Sequence, residues 1–342
     1  MNIILVTPAP PNSTNGNRVS ANRWAKILIQ LGHQVSVVEQ YTTQKADLMI
    51  AIHAWRSQES IFRFKQENPS AKLIVVLSGT DIYQYIHSHR EITLKAMQQA
   101  DILLGLNHQV IHAVPNELQH RLCVIPQSAT IKSKRVKPKK HFLALVVGHL
   151  RDVKNPFQAA QAAQLLAATS RIQIHHYGSA HTASWGLHAR RETATNQRYH
   201  WHGEVNQSRL SEIYQQASVL IISSKMEGGA NVICEAIAAG TPILASKIDG
   251  NVGLLGENYK GYYSLSDTRM LHAKLSRLER DKLFYSHLKS QCLKLQRYYK
   301  PHREIGNWRS LLNQLKTVYE GRPNINQPTY HRCLEKLDIY RL

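Results

Sequence analysis

The sequence predicts an α/β protein built from two doubly wound parallel sheets, and two observations carry this prediction. Short β-branched runs alternate with amphipathic helical stretches from residue 3 to residue 106. A second series of the same kind begins at residues 142–147. Because a strand that follows a helical crossover joins its predecessor in parallel, each series indicates one parallel sheet with helices on both faces.

The first series defines an N-terminal Rossmann-like domain, which we assign to residues 1–135. Strands are predicted at residues 3–7, 34–38, 48–53, 72–77 and 102–106, and helices at residues 19–31 and 58–66. Gly32 stops the first helix, and a buried strand follows at once, which is the usual exit from a helix in such folds.

The second series defines another Rossmann-like domain, assigned to residues 141–300. Strands are predicted at residues 142–147, 171–176, 218–223 and 243–245, and helices at residues 156–168 and 207–217. Between the two series, residues 131–141 contain six basic residues and one proline, so the domain boundary is expected there. Residues 301–342 are expected to form C-terminal helices, including a short one at 330–342, that pack back on the N-terminal domain.

Composition limits the functional classes without choosing one. The chain has 342 residues, 43% of them hydrophobic and 19% charged, as in a folded protein. No apolar run reaches the roughly 18 residues of a membrane span, and residues 1–8 lack a signal peptide's features. We therefore expect a cytoplasmic protein with no stable membrane insertion. The net charge of +20 suits polyanions, acidic membranes or phosphorylated ligands alike.

The segment from residue 223 to residue 242 carries the strongest chemical signal. An apolar strand leads into Gly228 and Gly229, a helix opens there, and Gly240 ends it. Free N–H groups at such a helix start form an anion site suited to a diphosphate. Glu227 and Glu235 bracket this site, and a carboxylate accepts the paired hydrogen bonds of vicinal sugar hydroxyls. The alternative is a plain turn with solvated acids, but a buried Glu235 in this apolar helix requires a partner.

This segment resembles the retaining glycosyltransferases of family 4, which have the GT-B fold with a cleft between two Rossmann-like domains. The family's Glu-x7-Glu signature stands here as Glu227 and Glu235. The resemblance implies that residues 1–135 bind the acceptor and residues 141–300 the nucleotide-sugar donor. It implies that Glu235 holds the donor ribose and Glu227 lies near the sugar. Donor contacts are also implied for the residues between them: Gly228, Gly229, Ala230, Asn231 and Val232.

A second family mark is a glycine that follows the first strand of the donor domain, then an arginine and a lysine. Here Gly148 and Lys154 match, whereas His149 occupies the arginine position. The resemblance implies that Lys154 neutralises the departing diphosphate, so that neither a metal nor a cofactor is required. His149 can assist as a cation or as a neutral hydrogen-bond donor, and Arg151 is the alternative source of charge.

Weaker matches follow other strands of the two domains. In the donor domain they are Gly178 and Val205, the latter in a segment whose backbone reads the base in the family. In the N-terminal domain, the loop at residues 10–18 matches a family loop that touches acceptor or donor phosphate. The acceptor-binding candidates are Gly16, Asn17, Arg18, His53, Arg56, Thr80 and Asp81. Their alternatives are ordinary turns and, for Thr80 or Asp81, a helix cap.

Residues 1–265 show a narrower resemblance, to the selenosugar synthases of selenoneine biosynthesis. It rests on combined motifs, among them Ser-Gly-Thr-Asp-Ile-Tyr at residue 78 and Gly-His-Leu-Arg-Asp-Val-Lys at residue 148. The resemblance implies a UDP-N-acetylhexosamine donor and a selenophosphate acceptor. Two anions in one pocket demand several cations, and Arg18, His53 and Arg56 are expected to join Lys154.

Two other functions remain open from the sequence. One is a family 4 glycosyltransferase that acts on a lipid or glycan at the membrane face, and the other is a non-enzymatic nucleotide or nucleic-acid binder. Nucleic acid is not the expected partner, because stacking aromatics and a known reading motif are absent. A metal is not expected either, since His108 and His112 lack a third ligand. The oligomeric state is left open.

Overall fold

In the computed structural model, which describes residues 1–131 and 141–319, each of two units contains one six-stranded parallel sheet. Unit 1 comprises Met1–Gln127, the short segment Glu227–Ala230 and the helix that begins at Pro301. Unit 2 comprises, among the described residues, Ser128–Met226 and Asn231–Lys300. Most of the predicted basic boundary, residues 132–140, and the predicted helix at residues 330–342 lie outside the described residues.

The sheet of unit 1 has the strand order β2-β1-β3-β4-β5-β6, and every neighbouring pair is parallel. The strands are β1 (Asn2–Val6), β2 (Gln34–Val38), β3 (Leu48–Ile52), β4 (Lys72–Val76), β5 (Ile102–Gly105) and β6 (Leu122–Val124). The α-helices between them are α1 (Gly16–Gln30), α2 (Gln58–Glu67), α3 (Ile86–Ser88) and α4 (Arg90–Gln98). A π-helical turn at Asp81–Tyr85 leads into α3.

The start of α1 differs from the prediction. Residues 16–18 were expected in a flexible loop, but Gly16, Asn17 and Arg18 form the first turn of the helix. The side chain of Asn15 accepts a hydrogen bond from the backbone N–H of Asn17 at 3.0 Å. Asparagine is a favoured N-cap residue because it satisfies an N–H group that the helix leaves unpaired. The cap therefore begins α1 three residues earlier than the apolar pattern indicated.

The sheet of unit 2 has the order β12-β11-β10-β7-β8-β9 and is also parallel throughout. Its strands are β7 (Phe142–Val147), β8 (Ile172–Tyr177), β9 (Tyr199–Trp201), β10 (Val219–Ile222), β11 (Ile243–Ser246) and β12 (Tyr262–Tyr263). Its helices are α5 (Gln158–Gln164), α6 (Ala183–Thr195), α7 (Gln207–Gln216), α8 (Asn231–Ala239), α9 (Asp249–Leu255), α10 (Thr268–Arg280) and α11 (Lys282–Leu295). The two predicted parallel sheets are thus confirmed.

The final helix, α12 (Pro301–Tyr319), belongs to unit 1 and packs beside α1 on one face of the sheet. Trp24 of α1 and Trp308 of α12 are fully buried and meet edge to face, with ring centroids 5.5 Å apart. The buried carboxylate of Glu304 accepts a hydrogen bond from the indole N–H of Trp24 at 2.8 Å. Within the described residues, no helix is long and apolar enough to span a bilayer.

Because Trp308 fills this part of the core, its removal should destabilise unit 1. We expect Trp308→Ala to lower the free energy of unfolding by about 3–5 kcal/mol, the usual cost of deleting a buried tryptophan. Urea denaturation followed by fluorescence and circular dichroism measures the change. Leu283→Ala is the control, because that side chain is 84% exposed and its loss should cost less than about 0.5 kcal/mol. Equal effects of the two substitutions would contradict this packing.

Candidate functional site

The donor-site candidates of unit 2 lie at one edge of its sheet. Gly148, His149 and Arg151 follow β7, Gly178 follows β8, Val205 follows β9, and α8 begins after β10. These four strands are neighbours in the order β10-β7-β8-β9 and run in parallel. Their carboxyl ends therefore share the edge at which open α/β sheets bind ligands.

The loops after β7 and β8 touch through their backbones. Gly178 has a φ of +148°, and a Cβ atom at this position would lie 2.1 Å from the carbonyl oxygen of Gly148. Any other residue would collide with the Gly148–His149 peptide group. The N–H of Gly148 also donates to the carbonyl of Tyr177 at 2.9 Å. Glycine at position 178 thus keeps the loop after β7 tight against the sheet edge.

His149 is held as a neutral ring. Its Nδ1 accepts a hydrogen bond from the backbone N–H of Ser179 at 3.2 Å and lies 2.8 Å from the Ser179 hydroxyl. A neutral imidazole that accepts at Nδ1 carries its proton on Nε2. Burial lowers the pKa of His149; among the nearby charges Glu204 opposes this effect, while Arg151 and Lys154 add to it. Of the two roles considered for His149, the geometry favours a neutral N–H donor.

Lys154 stands in a short turn that two parts of unit 2 hold in place. It ends the 3₁₀ turn Asp152–Lys154, and its aliphatic stem lies 3.9 Å from the position of a Cβ on Gly148. The hydroxyl of Ser223, just after β10, donates to the carbonyls of Lys154 and Asn155 at 3.2 and 2.9 Å. The half-buried Lys154 is thus fixed beside the glycine loop, with the half-buried Arg151 immediately before the turn.

Glu235 lies on α8 and is 9% exposed, as the apolar sequence around it indicated. Its Oε1 accepts a hydrogen bond from the side-chain amide of Gln207 at 3.0 Å. Burial, and next the charge of Glu235, raise the pKa of Tyr214 well above its usual value. The sequence analysis did not predict Gln207 as a site residue. The sequence signal that could have indicated it is the helix-capping residue Asn206, which makes Gln207 the first residue of α7.

The segment Glu227–Ala230 packs within unit 1. A Cβ on Gly228 would lie 2.3 Å from the carbonyl carbon of Ser78, and one on Gly229 would lie 2.5 Å from Leu106. The side-chain amide of Asn107 donates to the carbonyl of Gly228 at 2.6 Å. The glycine pair therefore meets the loops after β4 and β5 as well as leading into α8. Asn107 was not predicted, because it lies 121 residues from its partner.

Asp81 holds together two loops of unit 1. It is fully buried and accepts hydrogen bonds from the backbone N–H groups of Ala54, Ser78, Gly79 and Ile82 at 2.8–3.1 Å. These N–H groups lie in the loops after β3 and β4. The carboxylate is thus used inside the protein, which favours a structural anchor over a direct ligand of the acceptor.

His53 and Thr80 are brought together next to this anchor. His53 is 2% exposed, and its Nε2 lies 2.9 Å from the Thr80 hydroxyl while its Nδ1 accepts from the backbone N–H of Arg56. The Arg56 side chain is exposed, with its guanidinium 6.0 Å from the centre of the Tyr85 ring. Arg56 is thus a residue, among those predicted to bind the acceptor substrate with a positive charge, whose side chain is exposed to solvent.

Arg18 does not present its charge in this way. Its side chain is 3% exposed, and the guanidinium donates from both Nε and Nη2 to the carbonyl of Ala9. The arginine therefore shapes the loop between β1 and α1. Gly16 and Asn17 lie beside it in the first turn of α1. Among the described residues, no group of three or more His, Cys, Asp or Glu side chains has an arrangement suited to a metal ion.

One protein family matches most of unit 2. Residues 127–294, which carry the glycine loop, Lys154 and Glu235, match the family described as "Glycosyl transferases group 1". This segment is therefore similar to group 1 glycosyltransferase domains. No curated protein matches the chain significantly.

Solved structures share the fold of the whole chain. Sucrose-phosphate synthase from Thermosynechococcus elongatus has a TM-score of 0.79 at 16% identity, covering 93% of this chain and 99% of its own. HepE of Anabaena, in complex with UDP and glucose, has a TM-score of 0.72 at 15% identity and covers 92% and 100%. A glycosyltransferase from Rickettsia africae has a TM-score of 0.70 at 14% identity and covers 94% and 99%. The chain therefore has the two-domain GT-B fold.

Buried histidines should make the protein sensitive to acid. Burial lowers the pKa of both His108 and His176 to about 4, whereas an unfolded histidine titrates near 6.5. The unfolded chain therefore binds these protons first as the pH falls, so each histidine's stabilising contribution is complete above about pH 6.5 and declines towards pH 4. We expect a loss of up to about 3 kcal/mol for each. Urea denaturation between pH 7 and pH 4.5 measures it.

The variant His108→Gln serves as the control for this pH dependence, because glutamine does not titrate. Its free energy of unfolding should fall less steeply over the same pH range than that of the wild type. Parallel curves for the two proteins would contradict a depressed pKa at His108.

Proposed function

We propose that this protein is a glycosyltransferase that takes its sugar from a UDP-sugar donor without a metal ion. The observation that carries the proposal is the group 1 domain at residues 127–294, in which Lys154 is fixed beside the backbone contact of Gly148 and Gly178. The solved HepE structures contain UDP, glucose or UDP-glucose, which supports uracil as the base of the donor. We expect the donor to bind at the carboxyl edge of the sheet in unit 2.

The donor diphosphate is proposed to bind at the start of α8. The first turn of α8, at Asn231 and Val232, presents backbone N–H groups and the positive end of the helix dipole. Lys154 adds a full positive charge, which stabilises the diphosphate most when it departs with the negative charge of the broken bond. The Glu235 carboxylate, oriented by Gln207, accepts hydrogen bonds from the ribose hydroxyls.

The acceptor is proposed to be selenophosphate and the donor a UDP-N-acetylhexosamine, on the motif resemblance to the selenosugar synthases. Selenium attacks the anomeric carbon, the bond from that carbon to the UDP oxygen breaks, and UDP leaves. A water molecule then cleaves the phosphorus–selenium bond, which gives a 1-seleno-N-acetylhexosamine and phosphate. Because selenium in this anion is already a strong nucleophile, the protein needs to supply position and leaving-group stabilisation rather than a strong base.

A donor and acceptor screen tests this proposal directly. Purified protein with UDP-N-acetylglucosamine and selenophosphate should release UDP and form a selenium-containing sugar, both detected by mass spectrometry. GDP- and ADP-sugars should release little nucleotide. UDP release without a selenosugar would leave the UDP-sugar donor intact and overturn the acceptor. Transfer to lipid in anionic vesicles would instead favour the membrane-face glycosyltransferase, for which the net charge of +20 argues.

Lys154 provides a sharper test of how the leaving group is stabilised. We expect Lys154→Ala to lower kcat by about 10²–10³-fold, with a smaller change in the donor KM, because the charge matters most in the transition state. Steady-state UDP release measures both constants. Lys282→Ala is the matched control, since Lys282 lies exposed at the start of α11. A kcat for Lys154→Ala within threefold of the wild type would contradict the assigned role.

A further inference from the structure

His176 is a buried, polar side chain at the carboxyl end of β8 that neither the motifs nor the proposed chemistry uses. It is 1% exposed. Its Nε2 lies 2.9 Å from the carbonyl oxygen of Gly148, and its Nδ1 lies 2.8 Å from the hydroxyl of Tyr199. Tyr199, on β9, is fully buried. One imidazole thus joins three neighbouring strands: the residue after β7, the carboxyl end of β8 and the first residue of β9.

Tyr199, His176 and the carbonyl of Gly148 form a hydrogen-bonded chain, which we call the relay. The hydrogen-bond partners of His176 determine where the protons lie in it. A carbonyl oxygen only accepts, so Nε2 of His176 carries a proton and donates it to Gly148. Burial lowers the pKa of His176 to about 4, so the ring is neutral at pH 7 and Nδ1 is an acceptor. The Tyr199 hydroxyl therefore donates to Nδ1. Burial also raises the pKa of Tyr199 above its usual value, so this donor keeps its proton.

The relay fixes the orientation of one peptide group. This group is the peptide that joins Gly148 to His149, and its oxygen, the Gly148 carbonyl, accepts a hydrogen bond from His176. The N–H of Gly148, which belongs to the preceding peptide, donates to the carbonyl of Tyr177 at 2.9 Å. Because a trans peptide is planar with its C=O and N–H antiparallel, the N–H of His149 points away from His176. Gly178 packs against the same peptide, where a Cβ would lie 2.9 Å from the His149 nitrogen. The peptide is therefore constrained from two sides.

We propose that His176 is a positioning residue for the donor: by holding the Gly148 carbonyl, it aims the backbone N–H of His149 at the diphosphate of the nucleoside diphosphate sugar. This inference rests on the proposed function for its ligand. The catalytic residues remain those that touch the donor. His176 acts on the donor through the Gly148–His149 peptide group. Tyr199 acts by donating to Nδ1 of His176, which keeps the proton of the imidazole on Nε2.

The test compares two substitutions of the same residue. His176→Leu removes both hydrogen bonds, whereas His176→Gln keeps an N–H donor for Gly148 and an oxygen acceptor for Tyr199. We expect His176→Leu to weaken UDP binding and to lower kcat/KM for the UDP-sugar by about 10- to 100-fold, the usual effect of a small misplacement in a site. His176→Gln should stay within about threefold of the wild type. Calorimetry with UDP and steady-state UDP release measure these effects.

Controls separate positioning from stability. His287→Leu makes the same substitution at an exposed site on α11 and should leave binding and turnover unchanged. Thermal unfolding of every variant shows whether it is folded at the assay temperature. If His176→Gln and His176→Leu are both folded and lose activity equally, the inference is wrong. Full activity in His176→Leu would overturn it as well.

A spectroscopic measurement addresses the tautomer without any turnover. In protein labelled with ¹⁵N-histidine, His176, assigned by its loss in His176→Gln, should be a neutral Nε2–H imidazole from pH 8 to pH 5.5. An Nδ1–H tautomer, or titration near pH 6.5, would contradict the relay. Wild-type protein that neither binds UDP nor releases it from a UDP-sugar contradicts the proposed function. Normal wild-type activity with an unaffected His176→Leu contradicts the role of His176 alone.

Discussion

Backbone contacts that leave no room for a side chain organise the carboxyl edge of each sheet. In unit 2, Gly178 lies against the Gly148–His149 peptide, where a Cβ would lie 2.1 Å from an oxygen. In unit 1, Gly79 and Gly228 meet so closely that a Cβ on either would lie 2.6 Å from the backbone nitrogen of the other. Loops held in this way keep their N–H groups in fixed directions, which an anion site requires because its donors must not reorganise when the ligand binds.

The net charge of the chain overstates how many of its cationic side chains can bind an anionic ligand. A net charge of +20 suggests an abundance of binding cations, yet Arg18 uses its guanidinium on the Ala9 carbonyl of its own loop. Buried histidines add little positive charge, because burial holds the rings of His53, His149 and His176 neutral. The cations that the proposed diphosphate site uses in unit 2 are Lys154, beside the glycine loop, and Arg151 just before it. Neutral histidines contribute directed N–H groups instead.

Much of this arrangement was predictable because it is local. The helix that opens after Gly229 and ends before Gly240 was predicted to within one residue, since capping and apolar periodicity depend on neighbouring residues. The error at the start of α1 came from giving more weight to apolar spacing than to the Asn15 cap, and the predicted helix at residues 156–168 is shorter in the structure, at Gln158–Gln164. The contacts that complete the candidate site escaped prediction. Gln207 and Glu235 are 28 residues apart, as are His176 and Gly148, and no periodicity connects such pairs.

The sequence by itself determined the two parallel sheets, the order of their elements and the loops on which functional residues stand. These features follow from hydrophobic periodicity and from glycine, proline and capping residues, all of which act over a few positions. Only the tertiary structure decided which charged groups bond inside the protein, as Arg18 and Asp81 do. It alone decided the proton positions on His149 and His176. The reason is physical: desolvation and hydrogen-bond partners depend on what the folded chain places around a group, and the identity of the residue does not specify that environment.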